Sequence, residues 1–153
     1  MITAEGPKLI EFNVRFGDPE CQVLMMRLKS DALDLLEATA RGTLAGMEPE
    51  WRPETALTVV MATRGYPGSA PTGSIIQGAE DQDSDTLRIF QAGTARDGSA
   101  LVANGGRVLN VTALGRTVGE AQQRAYAAID RIDWPEGFCR RDIGRRAIER
   151  ETV

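Results

Sequence analysis

The sequence predicts an α+β fold, in which an opening strand and two helices lead into a mainly antiparallel β-sheet with helices packed on it. Three observations predict it. Residues 8–16 alternate between apolar and polar, residues 55–113 hold short β-rich runs between turn signals, and residues 117–132 carry an apolar stripe at helical spacing. Strands gathered together with helices at their ends, rather than strictly alternating with them, is the α+β order.

Each element has its own signal. Within residues 8–16, Ile10, Phe12, Val14 and Phe16 share one parity and Glu11, Asn13 and Arg15 the other, the pattern of a half-buried strand. Gly17-Asp18-Pro19 breaks it, with Asp18 placed to cap a helix that has Pro19 at its first position and runs from Glu20 to Leu28. A second helix is expected from Ser30, as N-cap, through Ala40, with Leu33, Leu36 and Ala40 on its apolar face and Gly42 as the stop. Gly42, Gly46, Pro49 and Pro53 then make residues 42–54 poor in regular structure, and a boundary falls there.

Strands are expected at 58–62, 74–77, 87–92 and 107–113, with a turn at Gly65-Tyr-Pro-Gly68 and a hairpin turn at Arg96-Asp-Gly-Ser99. Thr117-Val-Gly-Glu120 reads as a capping box, opening a helix with Ala121, Ala125, Ala128, Ile129 and Ile132 along one side. Asn104-Gly-Gly-Arg107 reads as a turn entering a strand, with a substrate-facing loop as the other option. The arginines from Arg140 to Arg150 suit a short terminal helix with a basic face, and Glu80–Asp85 an exposed loop.

Composition narrows the chemistry. The 153 residues suit one ordinary domain, or a small domain plus part of another. Eighteen basic residues against 22 acidic ones leave a net charge of −4, the wrong sign for a protein that binds nucleic acid by neutralising phosphates. Histidine is absent from the sequence, which excludes a Ser-His-Asp triad, a Cys-His pair or a histidine zinc site built from this chain. Cys21 and Cys139 lie far apart without a CxxC spacing, and a reduced, cytoplasmic setting is expected. No apolar run approaches the roughly 20 residues of a membrane span, and the first residues lack the basic and apolar regions of a signal peptide. Neither a membrane nor a nucleic-acid partner is expected. What remains is chemistry by carboxylates, amides, arginines, glycine loops, or a hard metal held by oxygen.

The sharpest candidates sit in the opening strand. On a strand Glu11, Asn13 and Arg15 project from one face, with alternate positions about 6.6 Å apart. A carboxylate and an amide oxygen so related can both reach one Mg²⁺, a cation that prefers hard oxygens supplemented by substrate phosphates. Arg15 can hold a phosphate or carboxylate by a bidentate contact. The same pattern also fits a solvated polar face. Gly17 allows close backbone approach to an anion. Asp18 and Glu20 can bind an ammonium group or simply favour a helix start.

The whole string Arg15-Phe-Gly-Asp-Pro-Glu-Cys-Gln-Val-Leu24 resembles the signature of the glycinamide ribonucleotide synthetase family, also called phosphoribosylamine–glycine ligases. Pro7-Lys-Leu-Ile-Glu-Phe-Asn13, Arg27-Leu-Lys-Ser-Asp31, Gly65-Tyr-Pro-Gly68 and Ala92-Gly-Thr94 agree in the same order. So do Asn104-Gly-Gly-Arg-Val-Leu109, Val111-Thr-Ala-Leu-Gly115 and Arg140-Arg-Asp-Ile-Gly144. The resemblance covers nearly the whole chain and only the carboxy-terminal portion of the family. Two positions depart from it: Met26 stands where the family commonly has proline, and Gln91 where it commonly has histidine.

The resemblance implies an ATP-grasp ligase of purine synthesis, joining glycine to 5-phospho-D-ribosylamine with ATP through a glycyl phosphate. It implies residues 1–52 as the end of an ATP-grasp domain and 54–150 as the ligase C-terminal α+β domain. It implies Glu11 and Asn13 as Mg²⁺ or Mn²⁺ ligands, Arg15 beside the transferring phosphoryl group, and Gly17 and Asp18 near the glycine site. An arginine and a divalent cation facing phosphate oxygens are what phosphoryl transfer requires. The family's amino-terminal domain and nucleotide-clamping segments have no counterpart in this sequence, so ligation by the chain alone is not expected, and the missing portion is its implied partner. The other reading is a non-catalytic folded domain that docks or dimerises through the apolar face of residues 8–16.

Overall fold

The computed structural model describes residues 1–12 and 14–151. Its centre is a long antiparallel pair, β3 (Thr55–Thr63) and β8 (Arg107–Gly115), with Val59 opposite Val111 and a bulge between Met61 and Ala62. Both are rich in β-branched residues, which fit a pleated, half-buried surface. β5 (Leu87–Gln91) lies on the free side of β8, and β9 (Gly137–Cys139) on the free side of β3, giving the order β5-β8-β3-β9. A smaller antiparallel sheet has the order β4-β7-β6, from β4 (Ile75–Ile76), β6 (Thr94–Asp97) and β7 (Ala100–Ala103). Gly98, at positive φ in the tight connection of β6 to β7, supplies the backbone conformation that the expected hairpin turn requires.

One face of the larger sheet is closed by α3 (Val118–Ile129). Leu57, Val59, Met61, Ile89, Leu109 and Val111 form the core with Ala121, Ala125, Ala128 and Ile129 of the helix. The small helix residues let sheet and helix approach closely. A Cβ on Gly115 would stand 2.4 Å from the Ala121 backbone nitrogen, so the sharp return from β8 into α3 requires glycine. Thr117 caps the helix, its hydroxyl accepting from the Glu120 N–H at 3.1 Å. The return bond of the expected capping box is displaced by one residue, because Glu120 accepts from the Arg116 N–H at 2.8 Å.

The alternate side chains of β3 and β8, including Thr58, Val60, Ala62, Asn110 and Thr112, belong to the other face. There α1 (Glu20–Arg27) packs against both strands. This face is more polar: Thr112 Oγ1 donates to Thr58 Oγ1 at 2.8 Å, while Asn110, only 1% exposed, has neither amide atom partnered among the described residues. α2 (Ala32–Arg41) follows α1, and Gly42 ends it in the left-handed conformation. Residues 50–52 return along the connection between these helices, with Arg52 N donating to Arg27 O at 2.7 Å. The short α4 (Arg145–Glu151) packs on α3, whose first turn it meets through Glu151 accepting from the Val118 N–H at 2.9 Å.

The opening segment departs from expectation. In place of a strand over 8–16, β1 (Ile2–Thr3) and β2 (Gly6–Pro7) form a small hairpin, and residues 8–12 have no regular structure. The apolar parity is exposed, 81% for Phe12. A half-buried strand needs a neighbour to take its N–H and C=O groups and a layer to cover its apolar side. The hairpin pairing ends where Lys8 N donates to Met1 O, and among the described residues no strand lies beside residues 9–12. The helix starts also differ. α1 begins without a side-chain cap because Pro19, rather than Asp18, stands at its N-cap, and α2 is capped by Asp31, which accepts from Leu33 N at 2.8 Å, rather than by Ser30. Ser30 Oγ instead accepts from Glu50 N at 2.7 Å.

Candidate functional site

Glu11 is exposed and lies on the irregular stretch after the hairpin, so its position is not governed by a strand's period of two. Asn13 lies outside the described residues. Arg15 is exposed at a bend and donates to its neighbour Phe16 O at 2.7 Å. Gly17 accepts from Cys21 N at 3.0 Å through its carbonyl, opening the first turn of α1. Among the described residues no hydrogen bond or ion pair joins Glu11, Arg15 and Gly17 to one another.

Asp18 is different. Its carboxylate meets the Arg107 guanidinium at 2.9 Å, and a second Arg107 nitrogen lies 3.5 Å from the Asp18 carbonyl oxygen. Arg107 opens β8, immediately after the Asn104-Gly-Gly turn. The sequence marked that turn, but nothing local marked its arginine as the partner of a residue 89 positions earlier.

The turns around Arg107 interlock through glycine. A Cβ on Gly93 would lie 2.6 Å from the Arg107 carbonyl oxygen and 3.1 Å from the Gly105 Cα. Asn104 N donates to Gly93 O at 2.7 Å, while Thr63, buried at the end of β3, holds the Gly105 and Gly106 carbonyls at 2.8 Å each. The Tyr66 ring lies against Gly106, where a Cβ would come within 2.4 Å of it. Segments 17–20, 65–68, 92–94 and 104–109, dispersed in sequence, therefore meet at one end of the large sheet.

Beside them is a cavity of about 350 Å³ over the β3–β9 side of that sheet, lined by Pro19, Val60, Tyr66, Arg107, Phe138 and Arg140 among others. Arg140 is held by Asp142 through two bonds of 3.0 and 2.7 Å, which keep the Asp142 carboxyl below the usual carboxylate range. Arg141 pairs with Asp130 at 2.7 Å and lies over the Tyr126 ring, 5.3 Å from its centre. Burial raises the Cys139 thiol above its ordinary pKa, and both cysteines are free. Among the described residues there is no group of three or more His, Cys, Asp or Glu able to hold a metal, and no helix is long and apolar enough to cross a membrane.

Antiparallel sheet, covering helices and a cluster of glycine turns around paired arginines define an α+β domain with its candidate site at one sheet end. Comparison with known proteins identifies its family. The family described as phosphoribosylglycinamide synthetase, C domain, matches residues 56–146, and the chain belongs to that family. The phosphoribosylamine–glycine ligase of Mesorhizobium japonicum is 68% identical over the whole chain, which spans 36% of that relative's length. The ligase of Rhizobium meliloti is 62% identical over the same share, and the chloroplastic ligase of Arabidopsis thaliana is 53% identical over 96% of this chain and 28% of its own length. The crystal structure of the Thermotoga maritima phosphoribosylamine–glycine ligase superposes with a TM-score of 0.72 at 34% identity, covering 94% of this chain and 35% of that one. The chain thus spans about a third of the length of these relatives.

Proposed function

We propose that the chain contributes part of a phosphoribosylamine–glycine ligase, which joins glycine to 5-phospho-D-ribosylamine at the expense of ATP in purine synthesis. In this reading residues 1–52 end an ATP-grasp domain and 54–150 form the ligase C-terminal domain, in the cytoplasm. The observation that carries it is the meeting, around Asp18 and Arg107, of the same segments whose sequences resemble that family.

The residues have distinct tasks. Arg15, exposed and charged, faces the phosphoryl group that leaves ATP for the glycine carboxylate. Gly17 and Asp18 receive glycine, the carboxylate of Asp18 suiting its ammonium group and the bare Gly17 backbone allowing close approach. Arg107 keeps that carboxylate in position. The amine of phosphoribosylamine then attacks the glycyl carbonyl, the amide C–N bond forms, the acyl C–O bond breaks, and phosphate leaves. Glu11 and Asn13 would hold Mg²⁺ or Mn²⁺; Glu11 fits as an exposed hard-oxygen donor, and few protein ligands suffice where phosphates complete the shell. The cation, when bound, neutralises charge on the phosphate oxygens.

The test supplies the chain together with the remaining portion of the Mesorhizobium relative and measures glycinamide ribonucleotide formation. Ligation that Glu11→Ala abolishes is expected; ligation indifferent to Glu11→Ala overturns the metal assignment, and no ligation with any such portion overturns the reading. One observation favours a second reading, a docking module: Leu9, Ile10, Phe12 and Val14 are all largely exposed. Light scattering that finds a strict monomer, unchanged when these positions are made polar, would remove it.

A further inference from the structure

Resting on the ligase reading, we infer that Thr63 is a positioning residue, which aims Arg107 at Asp18 and so holds in place the carboxylate proposed for glycine. The starting observation is a break in register. Met61 pairs with Leu109, but the next residue of β3, Ala62, pairs with Arg107, so Val108 is an extra residue in β8. Strand side chains alternate between faces. Counted from Asn110 and Thr112, which share the α1 side of the sheet, an unbroken strand would turn Arg107 to the opposite side, under α3. The bulge reverses that parity. It sets Arg107 opposite Ala62, in the same cavity wall as Thr58 and Val60, where it reaches Asp18 at 2.9 Å. Val108 is fully buried in the core.

The regular ladder is the competing pairing, so the bulge needs the chain beyond it to be fixed. Thr63 does this. It is 1% exposed and follows Ala62 at the end of β3. Its Oγ1 donates to Gly105 O at 2.8 Å and its N–H to Gly106 O at 2.8 Å, the two residues that precede Arg107. Its carbonyl accepts from Tyr66 N at 3.0 Å, and Gly137 of β9 lies opposite it. One buried residue thus ties together the end of β3, the Gly65–Gly68 turn and the turn into β8. The backbone bonds are open to almost any residue, whereas the bond to Gly105 O requires a hydroxyl. The Arg107 side chain is 43% exposed, so its direction is set by where the backbone launches it rather than by close packing around it.

The experiment compares Thr63→Val, which keeps the branched shape and removes the hydroxyl, with Thr63→Ser, which keeps the hydroxyl. Ligation is measured with the chain supplied beside the remaining portion of the Mesorhizobium relative. In Thr63→Val the KM for glycine should rise about tenfold, with kcat and the KM for ATP within about twofold, the pattern of a lost binding contact. Thr63→Ser should stay within about threefold of the unsubstituted chain in all three quantities. In the chain alone, Asp18→Asn should shift the Arg107 signals in ¹H–¹⁵N spectra, and this response should be lost when Thr63→Val is also present. A purely structural role lowers kcat through the share of active protein and leaves each KM alone. That result, equal damage by Thr63→Ser, or an undiminished Arg107 response in Thr63→Val overturns the assignment. Should Thr63→Val not fold, Thr63→Ala removes the same donor without overpacking and carries the same expectations. Ligation by no combination, the unsubstituted chain included, condemns the ligase reading, and the Arg107 response then decides by itself whether Thr63 aims this arginine.

Discussion

The Asp18 carboxylate and the Arg107 guanidinium are 2.9 Å apart, and this ion pair ties the loop before α1 to the first residue of β8. α1 starts without a side-chain cap because Pro19 stands at its N-cap; the Asp18 carboxylate, one residue earlier, meets Arg107 with one oxygen and accepts from Gln22 Nε2 at 3.5 Å with the other. Both side chains are about two-fifths exposed, so solvent screens the pair. A double-mutant cycle with Asp18→Asn and Arg107→Ala should give a coupling below about 1 kcal/mol, read from urea titrations and shrinking as salt is added. Amide exchange at Glu20 and Cys21 should quicken in both single variants by a similar factor. Unequal effects would mean that Asp18 is held by something other than Arg107.

Gly115 marks the closest approach of backbone to backbone beneath α3. A methyl group there would stand 2.4 Å from Ala121 N and 2.9 Å from the Thr117 carbonyl oxygen, neither of which can rotate away. Gly115→Ala should cost about 1–3 kcal/mol by overpacking, seen as a lowered urea midpoint with an unchanged slope. Gly119→Ala is the control, since the nearest atom to its added Cβ is the Thr117 hydroxyl at 3.7 Å.

Asn110 is buried in the middle of β8 with both amide atoms unpartnered among the described residues. A buried amide without a hydrogen bond costs on the order of 1–3 kcal/mol, so Asn110→Leu, similar in size and free of polar atoms, should be neutral or raise the melting temperature. Calorimetric scans of the two proteins decide it. A large loss would reveal a partner for the amide, such as a buried water.

Glu120 is held below the ordinary glutamate range by the Arg116 backbone N–H and then by the Arg116 guanidinium. A depressed carboxyl contributes stability above its unfolded pKa and loses it as pH falls through the folded one. The start of α3 should therefore loosen as pH drops through and below the usual glutamate range, visible as faster exchange at the Glu120 and Ala121 amides. In Glu120→Gln that acid-dependent step should be absent, with the Thr117 cap still in place.

Much of the domain was legible in sequence because its signals are local. The alanine stripe of residues 121–128 is the buried face of α3, the Thr117 cap is present, and the Arg96-Asp-Gly-Ser99 turn joins two strands. Strands expected at 58–62, 87–92 and 107–113 exist, two of them longer than their apolar runs. β9 escaped because three residues after the Trp134-Pro-Glu136 turn carry no readable alternation; only its pairing with β3 makes it a strand.

The site was legible in a different way. The sequence by itself determined which residue types were available, a histidine-free set of carboxylates, amides and arginines, and the motifs by which the family was recognised. The tertiary structure alone decided that, among the described residues, no strand lies beside residues 9–12, that Asp18 pairs with Arg107 across the fold, and that the glycine turns interlock beside one cavity. Periodicity reports how a segment relates to its immediate neighbours along the chain. Ion pairs and interlocked turns depend on residues brought together from distant positions, and they exist only once the sheet has set its register.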